Sequence, residues 1–369
     1  MSNLNDEACF VCFCRSGYEP DLAAECEYHL ATRNGYGYAK YEKGSGCIAF
    51  YTPTPALMPK LKELVFARQK LSFLTTLSFH DASDRITPIL EFLHSLNSME
   101  FGNVIVEHAD NEQAKTLAKF CKKFTVPLRA ALRKNVLQTR VQQDDKSWLH
   151  VIFDSFDGCR LCFSTANDRS PYAQGILRLK FPASAPSRST LKLEEALHVF
   201  FNKESEKRLF NENMSAVDLG ACPGGWTYQL VKRNMRVEAI DNGDIATTLM
   251  DTGLVMHAKA DGFTYRPVSG HVDWLVCDMI ENPYRVAELV AQWIQQGWAK
   301  ASIFNLKLPM KRRFETVKEI LSALRNKMRD KSGTIIEAKH LYHDRDEITV
   351  LVLPMGDFDE STQNCIKKM

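Results

Sequence analysis

The chain has no apolar run long enough to cross a bilayer: no uninterrupted stretch approaches the roughly 18 residues a span requires. Its opening, MSNLNDEACF, is acidic and lacks the basic-then-apolar order of a secretion signal. Both absences predict a cytosolic protein without membrane attachment. A framework of paired cysteines is missing too, because the 11 cysteines are odd in number and scattered, as expected of reduced thiols. Charge of one sign is also lacking: the net charge is only +2, so overall electrostatics announce no polyanionic partner. No internal repeat or low-complexity tract is evident.

What is present is ordinary globular material, with 45% apolar and 25% charged residues. At 369 residues the chain exceeds what one core usually serves, so two or three domains are expected. Two Cys-x-x-Cys pairs, Cys9/Cys12 and Cys159/Cys162, invite a zinc reading. Both lie in strand-like sequence, and a strand sends residues three apart to opposite faces, which suits packing rather than a shared metal. No metal site is expected.

The local charge distribution says more than the total. From Lys115 to Arg140 there are eight basic residues (Lys115, Lys119, Lys122, Lys123, Arg129, Arg133, Lys134, Arg140) and no acid. A second stretch, Gln174 to Lys192, carries Arg178, Lys180, Arg188 and Lys192, again without an acid. A solvated helix face ordinarily mixes signs, whereas unmixed basic surface suits a phosphate backbone.

Along the first half, the pattern predicts a strand near Phe10–Cys14, a helix over about Pro20–Leu30 and strands near Tyr36–Lys43 and Cys47–Tyr51. A helix in SDRITPILEFLHSL, a strand NVIVEH, a helix NEQAKTLAKFCKKF and a hairpin WLHVIFDSFDGCRLCFSTA turned at Asp157-Gly158 follow. FPASAPSRST reads as a linker near residue 185. Beyond it strands and helices alternate: AVDLG, TYQLVKR, RVEAID, VDWLVCD, RVAELVAQWIQQ, ASIFNLKLP. That rhythm predicts a doubly wound sheet binding its ligand beyond the strand carboxyl ends. TIIEAKHLYHD and DEITVLVLP read as a hairpin added at the sheet edge.

VDLGACPGGW places Asp218, Gly220, Gly224 and Gly225 in a strand-to-helix turn where backbone can approach a ligand closely. The spacing is G-x-x-x-G-G rather than the G-x-G-x-x-G of dinucleotide folds, which disfavours NAD. Acids follow successive strands: Asp241 after VEAI, Asp261 in AKADGF and Asp278 after WLVC. Three in register beside a glycine loop favour a nucleoside-containing cofactor, with Asp241 placed for a ribose diol. The Asn/Asp-Pro-Pro-aromatic motif that serves base amino groups is absent, the text reading CDMIENP instead. Cys277, a candidate nucleophile, should point away from the face carrying Asp278.

These residues resemble a known family. VDLGACPGGWTYQL, DNGD, ADGF, CDM, NLKLPMKRR and LYHDRDEITV, with FARQ, DRITPI, KFCKKFTVPLRAALR and RLKFPASAPSRSTLKLEEA, are similar to the ribosomal large-subunit RNA 2′-O-ribose methyltransferase M family, an FtsJ-like branch using S-adenosylmethionine. The likeness covers nearly the whole chain. It implies an α/β fold: a Rossmann-like doubly wound methyltransferase domain over 185–369, preceded by an α+β RNA-binding region made of a ferredoxin-like module, 1–52, and a THUMP-type domain, 53–184. The implied reaction is methylation of a cytidine ribose in 23S ribosomal RNA, by a monomer. A non-catalytic ribosome-assembly factor and a ring-carbon RNA methyltransferase are the alternatives.

The resemblance also implies a tetrad, Lys192, Asp278, Lys307 and Glu347, with Lys307 as general base. Burial and the second cation are expected to lower the pKa of Lys307 so that it can accept a proton. Cofactor contacts would come from Ser189, Gly220, Cys222, Pro223, Gly224, Gly225, Trp226, Asp241, Asp261 and Asp278. Read without the family, Ser189 is a helix N-cap. RNA contacts would come from Lys115, Lys119, Lys122, Lys123, Arg129, Arg133 and Arg188. Cys222 has no covalent role in attack by a ribose hydroxyl, so it reads as a small residue of the cofactor loop.

Overall fold

The computed structural model describes residues 8–96 and 100–366; the acidic opening, residues 1–7, lies outside them. The chain forms two compact units, Met1–Ile176 and Leu177–Met369.

In the first unit, strands β1 (Ala8–Phe13), β2 (Tyr38–Lys40), β3 (Cys47–Thr52), β4 (Gln69–Ser78), β5 (Asn103–Glu107), β6 (Trp148–Ser155) and β7 (Gly158–Ser164) build one sheet in the order β2-β3-β1-β4-β7-β6-β5. Every pairing is antiparallel except β5 with β6, which run parallel across a helical crossover. Helices α1 (Glu19–Ala31), α2 (Ile86–Ser95) and α3 (Ala118–Lys134) complete the unit. Leu93 of α2, Leu128 and Leu132 of α3, and Leu71, Val104, Val151 and Leu161 of the sheet share one core. The position 52/53 falls between β3 and β4, two strands of this single sheet.

The long strand β4 was not anticipated, though it joins the two halves of the sheet. Its sequence QKLSFLTTLS alternates poorly, because a register shift between Phe73 and Thr75 resets which face each side chain takes. The hairpin turns on Phe156-Asp157, one residue earlier than expected, so that Gly158 opens β7. Helix α3 runs ten residues past its expected end and contains Pro127. Burial of Leu128, directly after the proline, and of Leu132, just over a turn on, offsets the cost of the missing amide. Cys159 and Cys162 are both buried in this core, and burial pushes the Cys159 thiol up to about 12.

The second unit holds β8 (Ser215–Leu219), β9 (Arg236–Ile240), β10 (Val255–Ala258), β11 (Val272–Cys277), β12 (Ala299–Lys307), β13 (Thr334–Lys339) and β14 (Glu347–Pro354), in the order β10-β9-β8-β11-β12-β14-β13. The first five are mutually parallel; β14 lies antiparallel to β12, and β13 pairs on its outer side. Helices α4 (Thr190–Phe200), α5 (Lys203–Leu209), α6 (Gly225–Val231), α7 (Thr247–Met250), α8 (Pro283–Gln295), α9 (Arg313–Lys327) and α10 (Glu360–Ile366) complete it. Helix α8 shows why such boundaries are readable: Asn282 accepts from the Tyr284 amide at 2.9 Å, and Pro283 follows it where no amide is needed.

From β8 the chain steps outward through β9 and β10, then returns to β11 and steps the other way. The order reverses between β8 and β11, so their carboxyl ends leave a crevice that no crossover covers. Gly220 and Asp278 are the residues standing there.

Candidate active site

Four elements bring Lys192, Asp278, Lys307 and Glu347 together. Lys192 lies on α4, Asp278 follows β11, Lys307 ends β12, and Glu347 begins β14 directly opposite Lys307 in the antiparallel register. The Lys192 ammonium donates to both Asp278 oxygens, at 3.0 and 3.2 Å, and lies 2.5 Å from Glu347 Oε1. Lys307 donates to Asp278 Oδ1 at 2.8 Å and, more closely still, to Glu347 Oε2. Each carboxylate thus bridges both ammoniums.

The expected direction of the Lys307 pKa is overturned. Burial does draw it down, but the Asp278 and Glu347 carboxylates outweigh burial and hold it above the ordinary lysine value. Glu347 shows the converse: burial would raise it, and Lys307 with Lys192 hold it below the usual carboxylate range.

A second polar layer lies beneath the tetrad. Strand alternation puts Asn305 on the face of Lys307 and Thr349 on that of Glu347, and the register pairs Asn305 with Thr349. Asn305 Nδ2 donates to Asp278 Oδ1 at 3.3 Å, and Asn305 Oδ1 accepts from the Thr349 hydroxyl at 2.8 Å. Thr349 in turn meets both oxygens of Asp344, at 3.0 and 3.2 Å. Asp344 is fully buried, and burial with Glu347 and Glu195 nearby pushes its carboxyl well above the usual range. Sequence reasoning missed Asn305, Thr349 and Asp344. The available signal was two polar residues spaced i, i−2 and i, i+2 from the tetrad inside otherwise apolar strands.

On the β8 side, a cavity of about 600 Å³ opens over the glycine loop, with Gly220, Cys222, Asp241, Asp261, Phe263 and Asp278 in its wall. Asp241 ties two loops: its Oδ2 accepts from the Cys222 amide at 3.0 Å and its Oδ1 from the Gly243 amide at 2.8 Å. Gly220 and Gly224 sit at φ of 77° and 112°, where side chains are strained. A Cβ at Gly225 would fall 2.0 Å from Ser189 Oγ, so glycine is required there. Ser189 holds the N-cap position of α4 without capping it; its hydroxyl pairs instead with that of Ser187 at 2.6 Å.

The family models that match are those described as RlmM ferredoxin-like domain, over residues 8–71, Ribosomal RNA large subunit methyltransferase M, N-terminal, over 84–165, and FtsJ-like methyltransferase, over 185–344. The Ribosomal RNA large subunit methyltransferase M of Pectobacterium carotovorum subsp. carotovorum is 46% identical over 349 residues, covering 93% of this chain and 95% of the relative. That of Proteus mirabilis is 47% identical over 345 residues, covering 92% and 94%. The chain belongs to the ribosomal RNA large subunit methyltransferase M family.

Members of the FtsJ-like group use S-adenosylmethionine, and that is the cofactor here. The cavity fits it: Gly220 and Cys222 form its wall beside Asp241, Asp261 and Asp278, carboxylates able to accept from amino and ribose hydroxyl groups. The Trp226 indole points elsewhere, into the core with Leu230 and Trp274, so only its backbone faces the loop. Pro223 is exposed and joined to Cys222 by a cis peptide. Burial, Asp241 and Asp244 all raise the Cys222 thiol, and its sulfur rests 3.3 Å from the Asp244 carbonyl oxygen. Cys277 is wholly buried and pushed up to about 12, unsuited to nucleophilic attack.

Of the expected RNA contacts, Lys115, Lys119, Lys122, Lys123 and Arg133 are exposed on α3 and the 3-10 turn before it, and Lys115 pairs with Glu112. Arg129 is turned inward, donating to Asn103 Oδ1 at 3.1 Å and the Val104 carbonyl at 3.0 Å, which ties α3 to β5. Arg188 is exposed beside the Phe181 ring.

Proposed function

We propose that this chain is a 2′-O-methyltransferase of 23S ribosomal RNA that modifies a cytidine ribose, working as a monomer in the cytoplasm. In this reading the ferredoxin-like (1–52) and THUMP-type (53–184) regions capture RNA, and 185–369 carries the chemistry. The observation that supports it most is the convergence of Lys192, Asp278, Lys307 and Glu347 beside the cofactor cavity.

The chain's residues divide the work as follows. S-adenosylmethionine supplies an electrophilic methyl group. Backbone from Cys222 to Gly225, with Ser189, holds its methionine end, and Asp241 and Asp261 its nucleoside. A ribose hydroxyl entering the tetrad loses its proton to Lys307 Nζ, which must first be neutral. Asp278, fixed by Asn305 and Lys192, orients the ammonium so formed. Glu347 keeps its negative charge at neutral pH and stabilises the same cation. Lys192 keeps the site's charge balanced and adds a second positive charge near the developing alkoxide. The relatives named above are ribosomal RNA methyltransferases by their descriptions, which supports RNA as the substrate class.

The test is Lys307→Ala. Calorimetry should find S-adenosylmethionine affinity within about threefold of wild type, while methyl transfer falls by about 10³-fold or more, as expected when a proton acceptor is removed. Retained turnover would overturn Lys307 as base.

A further inference from the structure

Isolated exposed apolar side chains are normal on any protein, so their placement matters more than their existence. Among the described residues, the two most exposed large apolar side chains are Met310, 92% exposed, and Ile280, 91%. Both flank the tetrad. Ile280 lies two residues after Asp278, on the loop leaving β11, and Met310 three residues after Lys307, on the loop leaving β12. These strands are parallel neighbours, Cys277 opposite Phe304, so the two loops leave the sheet at the same end and side by side.

The β12 loop carries a second unusual feature. Met310 is followed by Lys311, Arg312 and Arg313, three cations at the amino-terminal end of the fifteen-residue helix α9. Positive charge at that end opposes the helix dipole, costing rather than adding stability. Lys311 and Arg312 are exposed, and Arg312 takes the left-handed conformation at φ 58°, which a side-chain-bearing residue rarely adopts. Both features lie on the loops that leave the strands carrying Asp278 and Lys307.

We propose that these loops form a grip for single-stranded RNA, in which Ile280 and Met310 pack on the bases beside the target nucleotide while Lys311 and Arg312 hold its phosphates. The inference rests on the 2′-O-methylation reading. A ribose hydroxyl reaches four clustered side chains only if its nucleotide is splayed out of the stack. Apolar wedges between bases, with cations on the backbone, are the means by which proteins hold such a conformation.

The test uses full-length protein with a ribosomal RNA fragment bearing 2-aminopurine next to the mapped methylated nucleotide. For the double variant Ile280→Ser/Met310→Ser, both positions being exposed, the melting temperature should match wild type, and because Ile280 also lines the cofactor cavity the kinetics are read at saturating S-adenosylmethionine. Its kcat/KM for RNA should fall at least tenfold, and the fluorescence rise that reports unstacking on binding should be lost. Wild-type kcat/KM and an unchanged fluorescence rise in the double variant would overturn the grip alone. Methyl placed on a base by the wild-type protein would overturn both the grip and the reading beneath it.

Discussion

At the scale of single residues, the proposed role of Lys307 as base turns on its protonation state. Its ammonium is held by two carboxylates, so in the free protein the neutral form is scarce at pH 7 and is gained as pH rises. The sign is therefore fixed: kcat/KM should climb about tenfold per pH unit between pH 7 and 9, since it reports the free enzyme's essential base. A plateau below pH 8 would mean a different group accepts the proton. Asp218 offers an independent check on the cofactor loop. Burial lifts its carboxyl to about 7, despite a 2.6 Å hydrogen bond from the Thr227 hydroxyl. Between the ordinary carboxylate range and pH 7 the folded state binds the extra proton, so stability declines as pH rises through that window. Asp218→Asn keeps an acceptor for Thr227 and removes the buried charge; its melting temperature should exceed wild type by several degrees at pH 8 and match it at pH 4. An equal gain at both pH values would place the effect elsewhere.

At the scale of elements, the registered pair β12 and β14 explains both what the sequence disclosed and what it hid. The tetrad positions were implied by the family resemblance, but the layer of Asn305, Thr349 and Asp344 depends on a long-range register that no local pattern specifies. Asn305→Ala removes a donor to Asp278 without touching Lys307, and should lower kcat about tenfold while leaving KM unchanged, as for a group that positions rather than binds. Helix α3 was legible only over its first part, where exposed lysines flank buried Cys121 at helical spacing; Pro127 hid its last ten residues. Strand β4 was not, because its register shift breaks the alternation by which strands are recognised. Charge reversal at Lys119 and Lys123 should weaken RNA binding and flatten the plot of log affinity against log salt by about two contacts' worth. An unaltered slope would mark α3 as ordinary surface.

At the scale of the whole molecule, one unit carries an exposed basic helix and the other a crevice at its topological switch point. The alternation of strands and helices after residue 215 implies a ligand beyond the strand carboxyl ends, while the point at which the strand order reverses is specified by the long-range pairing of β8 with β11. What alternation does not carry is the electrostatic balance inside the crevice, where two cations and two anions meet. Whether this cluster methylates a ribose hydroxyl of large-subunit RNA is read out by mass-spectrometric mapping of 23S RNA. RNA from cells lacking the protein should be missing one 2′-O-methylcytidine, restored by the wild-type chain and not by Lys307→Ala. Loss of a base methylation instead, or restoration by Lys307→Ala, would contradict the account.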